Sequence, residues 1–240
     1  MQRETLISAL TGIRRVILRS LIFIGLAGTG SFVFSRQMIR FLMKASGIKL
    51  YYLTIQEVFF SSLKLALFAG IFFAVPFIFF LAWNEFKDLY GIRKVYGWAL
   101  VVAAIMLFYG GSVFCYLMVL PSGLKFLVSG YESPLLKAMI SIERYITFCS
   151  TMIFAFGATF EVPLILLALG KLGIVKAQML VRTRRYAVLG IVTASAIITP
   201  TPDVYNLMLM AVPMYIFYEI GIILVKLAEK KKKSNEPQAG

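Results

Sequence analysis

The chain has 240 residues, of which 60% are hydrophobic and 15% charged. A soluble domain holds about 45–50% apolar and about 25% charged residues, so this composition excludes an ordinary soluble fold and predicts an all-α protein that crosses a membrane several times. The net charge of +14 does not argue for nucleic acid here, because lysines and arginines gather on the cytoplasmic side of membrane proteins; the absence of histidine removes imidazole nucleophile–base pairs, histidine metal sites and imidazole proton relays.

Six apolar runs read as spanning helices, at about 16–35, 58–83, 96–120, 145–169, 186–199 and 204–225. The first has no small-residue cleavage motif and leads into further spans, so it is expected to stay in the membrane rather than be cleaved as a signal peptide. Glu57 and Lys64 mark the outer end of the second run, seven residues apart on one face, and are expected to snorkel or to pair with other helices. Cys115 and Cys149 fall inside the third and fourth runs and read as small packing residues. A disulfide between them requires equal depth on touching helices. These first four runs meet the roughly 20 residues needed to cross about 30 Å of hydrocarbon.

The fifth run is too short for that, since its residues at about 1.5 Å each reach only about 21 Å. Arg182, Arg184 and Arg185 precede it and "TPTPD" (199–203) follows it. The two prolines force a turn, so the last two runs are predicted to form a short helical hairpin that thins the bilayer or leans on longer helices. The segments 36–57 and 121–144 read as outer loops, the second carrying the turn-rich "PSGLKFLVSGYESP" (121–134). The membrane domain is placed at 1–228, followed by a disordered basic tail at 229–240, "EKKKKSNEPQAG", near anionic lipid headgroups. Six spans put both termini on one side, and the bias of lysine and arginine makes that side the cytoplasm.

Within the fourth run, "TFEVPLILL" (159–167) carries one carboxylate. Glu161 lies about 6 Å past the middle of the span, where a charge costs a few kcal/mol and is expected to face protein or a wet cavity. Pro163 has no N–H, so the Thr159 carbonyl is expected to lose its helical donor. The two form a polar spot that reads either as a docking point for a partner helix or substrate, or as an internal hydrogen bond. Asp203 is expected to cap the sixth span. Glu219, near the inner end of that span beside Tyr215 and Tyr218, is expected to need a basic partner from Arg182, Arg184 or Arg185. Glu85 and Asp88 read as a solvated charge cluster. No HExxH, GxSxG or pair of aspartates in facing spans appears, so no enzyme is expected.

The pieces "FGATFEVP" (156–163), "RRYAVLGIVTASAIITPTPD" (184–203) and "AVPMYIFYEIGI" (211–222), in this order and spacing, resemble the TatC family, the polytopic subunit of the twin-arginine protein translocase. "LTIQEVFFSSLKLAL" (53–67) resembles the start of the family's second span less specifically. The resemblance implies a cup-shaped six-helix bundle in the cell inner membrane, with both termini cytoplasmic, no cofactor, and export of folded proteins powered by the proton-motive force. It implies that Glu161, with Thr159 and Pro163, meets single-span partner subunits or an inserting signal peptide. It implies signal-peptide binding around Leu10, Arg14, Asp88 and Arg93, roles for Asp203, Pro213 and Glu219 in shaping the last span, and a homo-oligomer.

The chain departs from that family at the inner surface. The family pattern H-L-x-E-L-R meets "ALTGIR" (9–14), where Leu10 and Arg14 match but Ala9 and Gly12 replace the histidine and glutamate. The inner loop "NEFKDLYGIRKV" (84–95) has Arg93 and Lys94 but no glutamate just before them. "TPTPD" holds an extra threonine, and Leu207 stands where glutamine is common. Two guanidinium groups favour carboxylates in bidentate pairs. One such carboxylate is absent here, and the other is absent or displaced to Asp88 or Glu85. Two alternatives stand beside the translocase subunit: a TatC-like scaffold or regulator that binds partner helices but no twin-arginine peptide, and a small transporter using Glu161 as a proton site.

Overall fold

The computed structural model describes residues 2–46, 50–52, 54–90, 94–129, 139–199 and 203–235, with side chains at 11–44, 50–52, 54–85, 97–126, 139–199 and 203–230. The first long helix, α1, runs Gln2–Val33, and a turn at Phe34 leads to α2, Ser35–Ser46. After β1, Leu50–Tyr51, comes α3, Ile55–Tyr90, then α4, Lys94–Phe114. A π-turn at Cys115–Val119 joins α4 to α5, Leu120–Ser129. The chain returns through β2, Ile140–Ser141, to α6, Ile142–Phe160, and α7, Val162–Lys171. Short α8, Ala177–Arg182, precedes α9, Arg184–Ile198, and α10, Val204–Asn235. Among the described residues, five stretches are long and apolar enough to cross a membrane: Thr11–Val33, Ile55–Glu85, Gly97–Phe126, Ile142–Lys171 and Val204–Lys230. The sixth apolar helix is α9, whose 15 residues cover only about 22 Å.

The α1–α3 pair is set by a backbone contact. A Cβ on Gly70 would lie 2.8 Å from the Gly28 Cα and 2.8 Å from the Ile24 carbonyl oxygen, so only glycine lets the two helices approach this closely. Phe23 stacks on Phe77 at 3.5 Å between centroids beside that crossing. The pairs Phe32–Phe59, Gly28–Gly70, Phe23–Phe77 and Gly12–Glu85 retreat along α1 as they advance along α3, an antiparallel register.

The segment expected as the first outer loop contains α2. Its Ile39 and Leu42 are buried, while Arg36, Arg40 and Phe41 face outward. Three turns of amphipathic helix among basic residues are easily read as loop. Tyr145 donates its hydroxyl to the Leu42 carbonyl at 2.6 Å, and Tyr116 donates to that of Phe41 at 3.0 Å. The second expected outer loop is also partly helical, because Pro121 does not stop the chain. Proline leaves the Leu117 carbonyl without its usual donor, and the π-turn, in which the Leu120 N–H reaches Cys115 O, absorbs the irregularity. Residues 130–138 of that segment lie outside the described residues.

At the far end from the N-terminus, Glu57 of α3 accepts from the Ser141 hydroxyl and from the Glu143 N–H at 3.2 Å. Lys64 pairs with Glu143. One α3 carboxylate thus satisfies one of the free N–H groups that open α6, that of Glu143, and orients the Ser141 side chain that caps the same helix, and the two-residue parallel pairing Leu50↔Ile140, Tyr51↔Ser141 closes the same end. The expectation that Glu57 and Lys64 pair with other helices is met. The core below them is built on Ile146, Met152, Cys115 and Cys149, and both cysteines are free thiols. The last helix is longer than a short hairpin requires: α10 runs to Asn235, because good helix formers, "KLAEKKKK", follow its apolar part. Residues 236–240 of the expected tail lie outside the described residues.

Gly70→Ala is expected to destabilise the purified protein by about 1–3 kcal/mol, the usual cost of overpacking a tight contact. It should lower the thermal unfolding midpoint in detergent, whereas Gly30→Ala, which meets open space, should leave it unchanged.

Candidate functional site

Pro163 falls in the first turn of α7 and interrupts the fourth span for one residue, Glu161. The Glu161 N–H bonds the Ala158 carbonyl at 3.2 Å, in a tighter turn than an α-helix. Its carbonyl accepts from both Leu164 and Ile165, at 3.0 and 2.9 Å, which starts α7. The Thr159 hydroxyl is turned back on the Ala155 carbonyl at 2.8 Å and is buried, so it offers nothing to Glu161. The glutamate side chain is 6% exposed, facing protein as expected, and its Oε1 is buried with no hydrogen-bond partner among the described residues. The alternative expectation, an internal hydrogen bond, is therefore not met at that oxygen.

Two helices wall this position. Gly111 of α4 meets α6 so closely that a Cβ would lie 2.7 Å from the Phe156 carbonyl oxygen. Phe160 packs on Phe217 of α10 at 4.2 Å. A carboxylate oxygen is thus held at membrane depth, near the start of α7, with its hydrogen-bonding capacity open. The chemistry it can offer is acceptance of one strong hydrogen bond from a side-chain donor.

The remaining expected site residues divide into those with a described setting and those without. Asp203 caps α10: its Oδ1 accepts from the Asn206 N–H at 2.7 Å, and its Oδ2 from Asn206 Nδ2 at 2.9 Å. Residues 200–202 of the "TPTPD" turn lie outside the described residues. Glu219 accepts from Arg184 Nη2 at 2.7 Å and from the Tyr215 hydroxyl at 3.0 Å. The basic partner is Arg184, one of the three expected. The physical reason differs from the one expected, since α10 continues well past Glu219. Arg184 opens α9, where a cation is disfavoured by the helix dipole, and Glu219 offsets it. Pro213 sits inside α10, leaving the Leu209 carbonyl without its usual donor.

Near the N-terminal end of the bundle, Arg14 is exposed on α1. The side chains of Leu10, in α1, and Asp88, in the last turn of α3, lie outside the described residues, as does Arg93 altogether. Sequence reasoning did not bring Glu85 to a partner. In the structure it pairs with Arg15 at 3.4 Å and Arg19 at 3.5 Å. The spacing of those two arginines, four residues apart on one helical face, was the available signal. It also missed Glu229, whose Oε1 accepts the Ala177 N–H at 3.0 Å and caps α8.

The comparisons with known proteins agree with this architecture. Residues 8–213 match the family model described as Sec-independent protein translocase protein (TatC). The chain is 35% identical to the Sec-independent protein translocase protein TatC of Desulforapulum autotrophicum, over 95% of this chain and 86% of that protein. It is 31% identical to the same-named protein of Carboxydothermus hydrogenoformans, over 97% of each. A crystal structure of a twin arginine translocase receptor, TatC, superposes with a TM-score of 0.83 at 32% identity, covering 92% of this chain and 99% of that one.

Asp203→Ala is expected to cost about 1 kcal/mol by loss of the α10 cap. Asp203→Asn should retain most of that stability, because asparagine caps about as well. Thermal unfolding of the purified variants reads both.

Proposed function

The chain belongs to the TatC family, and from that premise we propose that it is the polytopic subunit of a Sec-independent, twin-arginine protein translocase. Its role is transport, not catalysis, with both termini in the cytoplasm and the body in the cell inner membrane. The observation that carries the reading beyond family membership is the buried Oε1 of Glu161, unpartnered among the described residues. An acceptor left open at membrane depth is costly, and a polar group on a single-span partner subunit would relieve that cost. We assign Glu161 this docking role, with Pro163 creating the break that presents it and Thr159 shaping the turn before it. Transport driven by the proton-motive force, signal-peptide contact around Leu10, Arg14, Asp88 and Arg93, and a homo-oligomeric state complete the proposal.

The second reading, a scaffold that binds partner helices but no twin-arginine peptide, is favoured by one observation. Gly12 supplies no side chain where the family pattern places a carboxylate.

Glu161→Ala is expected to abolish co-purification of single-span partner subunits while the protein keeps its thermal unfolding midpoint. Unchanged co-purification would remove the docking role. Site-specific photo-crosslinking in native membranes, with a twin-arginine signal peptide and a twin-lysine control, decides between the two readings. A crosslink near Arg14 or the 84–95 loop, lost with twin lysine, supports the translocase subunit. Bound partners without such a crosslink support the scaffold.

A further inference from the structure

The antiparallel register of α1 and α3 fixes what meets at the N-terminal end of the bundle. From the Gly28–Gly70 crossing, Gly12 lies about 24 Å along α1 and Glu85 about 22 Å along α3, at about 1.5 Å per residue. The two positions therefore arrive together, and a Cβ on Gly12 would lie 4.0 Å from the Glu85 Cβ. A carboxylate is thus carried by the neighbouring helix beside position 12, where the first helix has none.

That carboxylate is already engaged. Arg15 Nη1 lies 3.4 Å from Glu85 Oε2 and Arg19 Nη1 3.5 Å from Oε1. Each arginine offers one nitrogen, at a length well beyond the roughly 2.7–2.9 Å of a strong charge-assisted hydrogen bond. The Arg184–Glu219 pair, at 2.7 Å, shows the tight form in the same molecule. Both arginine side chains are more than half exposed, while that of Glu85 is 15% exposed. Glu85 is therefore covered by two loosely held guanidinium groups, neither of which makes the two-pronged pairing that arginine and carboxylate favour.

We propose that Arg15 and Arg19 form a built-in arginine pair that occupies Glu85, and that the arginine pair of an incoming peptide reaches this carboxylate only by displacing them. This rests on the receptor reading above and names the acceptor and its competitor. Displacement exchanges two long single contacts for a bidentate one, so an arginine peptide gains where a lysine peptide, with no planar fork, does not. The internal pair lowers apparent affinity by the fraction of time it covers the acceptor. The chain thereby binds its peptide more weakly than one with an uncovered carboxylate, and releases it when the internal arginines return.

The test uses the full chain in lipid nanodiscs and a fluorescent synthetic peptide with adjacent arginines before an apolar run, beside its twin-lysine counterpart. Glu85→Gln is expected to weaken binding of the arginine peptide about tenfold, the loss of one charge-assisted pair. Arg15→Ala with Arg19→Ala is expected to tighten it about three- to tenfold, a gain that misfolding cannot produce. Adding Glu85→Gln to that double variant should cancel the gain, since the coupling runs through one residue. A gain that persists in the triple variant would mean simple charge repulsion and would overturn the proposal. Equal binding by wild type and Glu85→Gln would overturn it while leaving the receptor reading intact. Absence of arginine-peptide binding by every form, including the double variant, would overturn both.

Discussion

A chain in hydrocarbon must satisfy its backbone polar groups within itself, because no water is there to do so. Most of this structure follows from that constraint. The spans are helices, and several of the hydroxyls they carry are silenced locally. Thr29, Ser62, Ser112, Thr159, Thr193 and Thr199 each donate to the carbonyl four residues back. At two of the prolines the chain answers the lost donor with a local irregularity, a π-turn ahead of Pro121 and a one-residue break ahead of Pro163, whereas Pro76 and Pro213 sit inside continuous helices. The second irregularity places a carboxylate at the break.

The carboxylates then show where the molecule is tied and where it is open. Glu57 and Glu143 lock α3 to α6 at one end. Asp203 caps α10, Glu219 holds Arg184 of α9, and Glu229 caps α8. Glu85 draws α1 to α3 at the other end. Every one of these joins two elements or closes a helix. Among the carboxylates with described side chains, Glu161 differs in having a buried oxygen that ties nothing. Packing does not explain it either, since an apolar residue of similar size would fill the space without the cost of an unpaired acceptor.

How much of this was legible in the sequence depended on the range of the interaction. Length and apolarity gave the spans, and the short α9 could be measured from its flanking arginines and prolines. The Asp203 cap is a contact between neighbours three residues apart, so it could be read directly. The partner of Glu219 could be narrowed to three candidates because Arg182, Arg184 and Arg185 gather just before the fifth run. The Glu57 contact to the start of α6 joins residues more than eighty apart, and only the tertiary register of α3 brings them together. Glu85 shows the same limit more sharply. A local alignment of the first helix records a missing carboxylate at Gly12, whereas the Gly28–Gly70 contact, which sets the register, brings Glu85 of α3 beside that position. The helix α2 was hidden for a different reason: its apolar face is only one side of three turns, and its charges dominate any window average.

The two carboxylates singled out for binding ask for partners in opposite ways. Glu161 is buried with one oxygen unpartnered among the described residues, so a donor that reaches that oxygen relieves a standing cost. Such a site suits a resident partner, because the free chain is the less favourable state. Glu85 is near the surface and already covered, so a new guanidinium must compete with two internal ones of the same kind. Exchange between like partners changes the free energy little, and the direction is set by geometry and by the rest of the visiting peptide. That suits a passing ligand, which must be admitted selectively and then let go. The fold separates the two by placing one within the apolar span of α6 and α7 and the other at the ends of α1 and α3, so that the two proposed roles, subunit docking and peptide exchange, draw on different charges.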